Sequence, residues 1–390
     1  MDEKRISRKE LKKQNLKKSK IRNNIRTVMI LFITALMVYI TGLYGASLAY
    51  FGDFLSSAIT LVQIGKGFPI EDDFSTVLQA EKMGTGFSVL TDDSYIVYSP
   101  TAKEVFNYSH AMLKPVIDTS KNRAVIYDLN GSTLKIANGH NILFRKEMPN
   151  SIIHVDLSDS NRVAVTTRSS SYNGEVAVFN YNMNQRFVWY CAKGYPIYSA
   201  LSDSGDMLAV NTVQTKDGIL TSSIFVIDAA KGEELFSIDT MDYALKIEFL
   251  SDDRILIAYP DRLILYSVSK NAEIASYELT GGNLQAIHTD GSYITVCYGG
   301  SSRQQSSTLA VLTFGFEEKF TVTVPEKIKD LSMSQSRIFA LGYDNMYEYD
   351  YSANLVNTTA TGPLYKQLAD YNGTLIISST SIDKVEKTKK

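Results

Sequence analysis

Read from the N-terminus, the pattern of apolar and polar positions changes character twice. Thr27–Tyr50, TVMILFITALMVYITGLYGASLAY, holds no Asp, Glu, Lys or Arg. As a helix rising about 1.5 Å per residue it would reach roughly 36 Å, enough to cross a bilayer with some tilt. The next stretch, Gly52–Gly65, places Phe54, Leu55, Ala58, Ile59, Leu61 and Val62 near helical spacing. It predicts a short amphipathic helix, serving as a stalk or lying on a membrane surface. Beyond Gly65-Lys66-Gly67 the pattern becomes β: branched and aromatic residues alternate with polar ones between Asp, Ser, Asn and Gly turns.

One motif recurs through this β region: an apolar strand, a polar turn, then a second apolar strand. It is seen in VID-TSKN-RAVIYD, IIHVDL-SDSN-RVAVTT, IYSAL-SDSGD-MLAVNT, LKIEFL-SDD-RILIAY, LQAIH-TDG-SYITVCY, IKDL-SMSQS-RIFALG and YKQLA-DYNG-TLIIS. With the weaker first unit, which begins FSVL after Met83-Gly84-Thr85-Gly86, the repeats number eight. Successive turns lie about 35 to 49 residues apart, the length of one four-stranded propeller blade. Third and fourth strands follow in most units, as in EVAVFNY then QRFVWYCA, and Asp228-Ala229-Ala230-Lys231-Gly232 is the clearest hairpin between such a pair.

A lone four-stranded sheet cannot bury both faces, whereas a closed ring of sheets can. The expected fold is therefore all-β, an eight-bladed β-propeller, with a single-pass transmembrane helix at its N-terminus. Seven blades is the alternative, because the first unit is weakly patterned. The eighth unit is one strand short. Gly67–Glu71, which has no partner in its own blade, is expected to supply that blade's outer strand and so close the ring.

Charge adds a topology. Residues 1–26 carry eleven Lys and Arg against three acidic residues, a net +8. Removing these from the chain totals of 40 basic and 42 acidic residues leaves 29 and 39, a net −10. Basic residues beside a first span stay in the cytoplasm, so everything after the span is expected outside. The tail also suits anionic lipid headgroups. An acidic domain does not suit nucleic acid. Ser47-Leu48-Ala49 would serve a signal peptidase, but the apolar run outlasts a signal peptide's core, so an uncleaved anchor is the reading. Cys191 and Cys297 fall within strand-like runs of different repeats and are expected to be buried free thiols.

The whole plan resembles the proteins of domain of unknown function 5711. The features that carry the likeness are the basic tail, the anchor, the short stalk, and GKGFP at Gly65–Pro69. LTDDSYIVYS at Leu90–Ser99, AVIYDLNGS at Ala124–Ser132 and ALSDSGDMLAV at Ala200–Val210 complete it. The resemblance implies a membrane-anchored, propeller-like protein of Firmicutes with no assigned activity. Its motifs are structural rather than catalytic. More distantly the repeats are similar to quinoprotein-type and WD40-type propellers.

Motifs for chemistry are scarce. The chain has no phosphate loop, no G-x-S-x-G, no H-x-x-x-H and no C-x-x-C. Asp128-Leu129-Asn130-Gly131 lacks the spacing of a calcium loop and reads as a two-residue Asn-Gly hairpin. A single Trp, Trp189, argues against a quinoprotein dehydrogenase, whose blades each carry one. His154 and His288 fall in first strands, where they would line the central channel. Tyr is common, with 24 residues, and Tyr195, Tyr198, Tyr243, Tyr259, Tyr343, Tyr347, Tyr349 and Tyr351 are candidates for an exposed contact face.

Long connections between second and third strands are expected at Arg168–Gly174, Gln214–Ser222 and Gly299–Ser307. Tyr172, Asn173, Lys216, Asp217, Arg303 and Gln304 on these loops are the candidate partner contacts. No catalytic, cofactor-binding or metal-binding residue is assigned.

The expected organisation is a cytoplasmic tail over 1–26, an anchor over 27–50, a stalk over 51–66, an extracytoplasmic propeller over 67–386 and a free end over 387–390. The expected function is a non-catalytic binding or scaffold protein of the cell envelope, in a Gram-positive-type membrane. Its ring surface would face an envelope protein or cell-wall glycan. Two alternatives stay open. One is a glycan hydrolase or lyase with carboxylates converging at the ring centre, which requires two carboxylates, or a His and a carboxylate, within hydrogen-bonding reach in one pocket. The other is a ligand sensor that signals through the tail.

Overall fold

A computed structural model describes residues 29, 44–71, 76–240, 242–302, 305–334, 336–371 and 373–385. Contacts divide the chain into two compact units, Met1–Phe54 and Leu55–Lys390. The basic tail, most of the expected anchor and the residues after 385 lie outside the described residues. Among the described residues, no helix is long and apolar enough to cross a membrane. Helix α1 spans Tyr44–Val62 and so covers parts of both the expected anchor and the expected stalk.

The second unit is an eight-bladed propeller. Seven sheets have four antiparallel strands in sequence order, and the eighth has three. Blade 1 runs from Val77 to Ser109, blade 2 from Pro115 to Glu147, blade 3 from Ile152 to Cys191 and blade 4 from Tyr195 to Asp239. Blade 5 runs from Lys246 to Glu278, blade 6 from Asn283 to Val324, blade 7 from Asp330 to Ala360 and blade 8 from Tyr365 to Val385. The weakly patterned first unit is thus a complete blade, and the count is eight rather than seven.

Burial follows strand position. The second strands Gly86–Thr91 and Val163–Thr167 are buried at every residue. Such strands lie between two neighbouring sheets and need apolar or small side chains on both faces. Fourth strands such as Glu233–Asp239 alternate and stay largely exposed at the rim. In all seven complete blades the pairing of third and fourth strands slips once, by a bulge or irregularity. Such slips increase the local twist, as strongly twisted blades require.

The core is divided among the blade junctions. Eight apolar clusters are present, each drawing on two adjacent blades. Trp189 belongs to the junction of blades 3 and 4, its ring 5.0 Å from that of Phe225. Cys191 and Cys297 are buried and free, as the strand pattern predicts.

The closing strand forms, in shortened form. Ile70 N–H donates to Ile382 O at 2.8 Å and Ile382 N–H to Ile70 O at 3.1 Å. The pairing is a single bridge rather than a strand over Gly67–Glu71. Pro69 supplies no N–H with which to extend it. Side chains complete the joint: Ile70, Phe87, Tyr98, Tyr371 and Ile382 share one cluster, and the Phe68 ring lies 5.8 Å from that of Phe87.

The part of α1 within this unit packs on the turns between first and second and between third and fourth strands of blades 1 and 2. Ser57 Oγ donates to Asn122 Oδ1 at 2.8 Å, Thr85 Oγ1 donates to Ser57 O at 2.8 Å, and Ser56 Oγ lies 2.7 Å from His140 Nδ1. Beyond the helix, Gly65 N–H donates to Thr101 Oγ1 at 2.7 Å. A Cβ at Gly65 would stand 2.3 Å from Thr101 O, so only glycine fits this approach.

Candidate functional site

The first strands form the channel wall, and acidic side chains line it. Glu81, Asp118, Asp156, Glu248 and Asp330 all lie on first strands, as does Asp370 at the end of blade 8's. Most of them reach sideways to the next blade. Leu157 N–H donates to Asp118 Oδ2 at 2.7 Å, Leu201 N–H to Asp156 Oδ2 at 2.7 Å, and Leu368 N–H to Asp330 Oδ2 at 2.8 Å. Glutamines take the same part elsewhere. Ile117 N–H donates to Gln79 Oε1 at 3.3 Å, Ile328 N–H to Gln285 Oε1 at 3.0 Å, and Ala80 N–H to Gln367 Oε1 at 3.3 Å. A side-chain oxygen on one blade thus holds a backbone N–H at or just before the next blade's first strand, at six of the eight junctions. The last of these closes the ring from blade 8 to blade 1.

This crowding sets the protonation of the wall. Burial pushes the Asp118 carboxyl well up, and the nearby Asp156 and Glu81 charges add to it. Burial, with a smaller push from Glu248, raises Asp156 to about 7. Glu81 and Asp330 are raised by burial as well. Glu248 goes the other way: burial would raise it, but Lys246, whose Nζ lies 2.8 Å from Oε2, together with the Thr289 hydrogen bond and His288, outweighs that. The His154 ring packs at a tilt against that of Tyr198, with ring centres 4.0 Å apart, and burial lowers its imidazole to about 4.

Two hollows open along this wall. One, of 200 Å³, is lined by Asp156, Asp159, Tyr198, Asp203 and Glu248. The other, of 300 Å³, is lined by Glu81, Lys82, His288, Asp330, Gln367 and Asp370. In the second, His288 Nε2 lies 2.7 Å from Asp370 Oδ2. Burial would lower the imidazolium, but the Asp370 contact wins and the net shift is upward. The geometric condition set for catalysis, a His and a carboxylate within reach in one pocket, is therefore met. Asp370 is also structural, since its Oδ1 accepts from Met333 N–H at 3.1 Å and from Ser332 Oγ. Among the described residues, no group of three or more His, Cys, Asp or Glu is placed to hold a metal ion.

A second region lies where second strands join third strands and where each blade passes to the next. Antiparallel order puts these connections on the face opposite α1. Tyr172 and Asn173 are here, between the strands Val163–Thr167 and Gly174–Phe179. The Tyr172 ring lies 4.8 Å from that of Tyr190, and the two residues are 49% and 50% exposed. Asn173 N–H donates to Cys191 O at 3.1 Å, which fixes the base of the loop.

Lys216 and Asp217 are placed differently from expectation. Gln214–Ser222 is no loop. The strands Met207–Lys216 and Ile219–Asp228 pair to their ends, Lys216 opposite Ile219. Asp217 at φ 53° and Gly218 at φ 81° make a two-residue turn, as right-twisted strands favour. The hairpin presents Ile219 and Leu220 to solvent. Arg303 and Gln304 lie outside the described residues, within the connection from Gly299 to Ser307 that does separate two strands. The Asn130-Gly131 hairpin is also longer than two residues. Its backbone is drawn to the next blade, with Asn130 N–H donating to Ile152 O at 2.8 Å and Ile152 N–H to Gly131 O at 2.7 Å.

The candidate tyrosines divide. Tyr195 and Tyr243 are exposed on this face, whereas Tyr259, Tyr347 and Tyr349 are core. Tyr198, Tyr343 and Tyr351 are half-buried. Tyr190, Ile197, Ile219, Leu220 and Leu245 were missed by sequence reasoning. They are exposed at the same strand ends, so apolar groups collect on one face of blades 3 to 5. The available signal was an apolar residue beside a turn, as in TKDGIL and MDYAL.

Several solved structures share this architecture. The chain is similar to BamB from Moraxella catarrhalis, at 14% identity and a TM-score of 0.55, over 84% of this chain and 100% of that one. It is similar to the C-terminal WD40 domain of Sif2, at 11% identity and a TM-score of 0.62, over 82% and 99%. It is also similar to Chaetomium thermophilum Sqt1 bound to the N-terminus of the ribosomal protein L10, at 11% identity and a TM-score of 0.57, over 80% and 97%. These likenesses show the fold. No curated protein sequence matches the chain. A family profile described as "Family of unknown function (DUF5711)" matches residues 59–386, and the chain belongs to that family.

Proposed function

We propose that this member of a family of unknown function is a non-catalytic scaffold of the cell envelope. In this reading it is membrane-anchored and extracytoplasmic, and it binds a protein partner through the face opposite α1. The observation that carries the reading is the collection of exposed aromatic and aliphatic side chains at strand ends of blades 3 to 5, Tyr172 and Tyr190 among them. Rings with a polar tip held on a rigid frame bind with little loss of conformational freedom. The chargeless run Thr27–Tyr50 and the basic tail support the anchor. Fold-level likeness to propellers such as Sqt1, whose structure holds a peptide segment of a ribosomal protein, is consistent with a protein ligand. The test is capture from crosslinked membranes by the 55–390 fragment, with a Tyr172→Ala/Tyr190→Ala/Ile219→Asp variant in parallel. Saturable capture by the wild type, lost in the variant, supports the reading. Equal capture by both removes this face from it.

The His288–Asp370 contact favours a second reading, turnover of a wall glycan in the 300 Å³ hollow. Here His288 would move the proton and Glu81 or Asp330 would face the sugar. Release of wall fragments by the 55–390 fragment, abolished by His288→Ala, would establish it. No release from purified wall polymer would end it.

A further inference from the structure

Helix α1 is turned against the usual pattern. A helix packed on a folded domain buries its apolar side. In this one, Ser56 and Thr60 are the buried positions of the stretch from Leu55 onward. Ser56 and Ser57 face the turns of blades 1 and 2 through the contacts to His140, Asn122 and Thr85. Leu55, Ile59 and Val62, spaced i, i+4, i+7, point away and are 49%, 42% and 70% exposed, and Ile64 just beyond is 84% exposed. No charged residue occurs between Leu55 and Gly65. In water this arrangement leaves an apolar stripe uncovered while polar groups take the protein side.

We infer that the exposed side of α1 lies in the lipid interface, so that the turns of blades 1 and 2 around Asn122 and His140 rest on the membrane. The inference deepens the anchored reading and rests on it. Three observations select lipid over another cover. The helix begins at Tyr44, inside the chargeless run, so residues 27–43, about the shortest length that spans a bilayer, precede it. From Leu55 onward it shows a one-sided apolar stripe, which is what an interfacial helix presents. Lys66 follows the stripe directly, where its ammonium can reach the headgroups. The opposite face, with Tyr172 and Leu220, then looks away from the membrane and is free to meet a partner.

The full chain tests this in phosphatidylethanolamine/phosphatidylglycerol vesicles. Single-cysteine variants Ile59→Cys, Val62→Cys and Leu220→Cys carry an environment-sensitive dye. Cys191 and Cys297 are fully buried and stay unlabelled, with unsubstituted protein as the control. Dyes at 59 and 62 should be quenched at least threefold more by doxyl-labelled lipid than the dye at 220, and shielded from aqueous iodide. Iodide quenching at 59 and 62 equal to that at 220, in protein that withstands a carbonate wash, overturns the inference and leaves the anchor standing. Protein removed by the wash overturns the anchor. The inference then survives only if dyes at 59 and 62 still shift on adding vesicles. Shielding from both quenchers, with crosslinks between copies through position 59, overturns it in favour of a second copy as the cover.

Discussion

Replacing Asp156 with Asn should stabilise the ring at pH 8 and leave it unchanged at pH 4. Burial, and secondarily Glu248, lifts the Asp156 carboxyl from 3.8 to about 7 in the fold. Above pH 4 the unfolded chain has lost this proton while the folded one keeps it to near 7. Stability therefore falls as pH rises across that window and stays lower above it. At about 1.36 kcal/mol per pH unit the ceiling is about 4 kcal/mol. The effective dielectric around buried charges exceeds that of dry protein, so about 1–2 kcal/mol is the expected size. Asn keeps a carbonyl oxygen for the Leu201 amide, now held at 2.7 Å by Asp156 Oδ2, and carries no charge. It also withdraws a charge that lifts Asp118. With about 2.1 cal/mol/K of unfolding entropy per residue over some 330 residues, 1 kcal/mol moves Tm by about 1.4 °C. Thermal melts of the 55–390 fragment should thus show the variant about 1–3 °C above wild type at pH 8 and level with it at pH 4. An equal shift at both pH values, or a loss at pH 8, refutes the reasoning. An equal shift would mean that the effect does not come from the charge, and a loss would mean that the hydrogen bond of the ionised Asp156 outweighs its burial.

Ile70→Ala should cost about 2–4 kcal/mol in urea unfolding, because Ile70 is buried in the closing cluster; a cost below 1 kcal/mol would mean that the joint holds without it. Gly218→Ala should lose about 1 kcal/mol through its φ of 81° alone, since open space surrounds the site; an unchanged urea midpoint would rule out that turn. Glu326 accepts N–H groups of Tyr343, Asp344 and Asn345 at 2.7, 2.9 and 3.0 Å. Burial alone would raise its carboxyl, yet these bonds and that of Tyr347 hold it below the usual value. Its contribution is present above the unfolded value near 4.5 and is lost as pH falls through the folded one. Glu326→Ala should therefore destabilise at pH 7 by about 1–3 kcal/mol and by less at pH 3, and a cost independent of pH would contradict this.

The blade count was legible because each first turn repeats a Ser/Asp/Gly signal between apolar strands, as in SDSGD and SDSN, and turn chemistry is local. Closure at Ile70 was legible from strand arithmetic, and its reduction to one bridge traces to Pro69. The channel acids were not read. Asp118, Asp156 and Asp330 sit within apolar strands, and their bonding partners lie 38 to 45 positions away on the next blade, for example Leu201 at 45. Nothing local marks an Asp as a clasp rather than a turn residue. The hairpin at Asp217-Gly218 carried a readable Asp-Gly signal, but the polar run around it outweighed that signal. For α1 the apolar spacing was visible. Which side meets the protein depends on Asn122 and His140, 65 and 84 positions distant.

The clasp between Gln367 and Ala80 joins positions 287 apart, and it has a consequence for biosynthesis. A chain made N-terminus first can assemble blades 2 to 7 as each emerges, every one docking on its predecessor. Blade 1 must wait with one face bare until the final residues of blade 8 are released, because Ile382, its bridge to Ile70 and the Tyr371 ring arrive last. Closure of so long a loop carries its entropic cost before any contact repays it, so it should be the slow event in maturation. A ribosome stalled within the last blade would hold an open arc with two unsatisfied ends. Such an arc is the species on which chaperones and quality-control proteases would act.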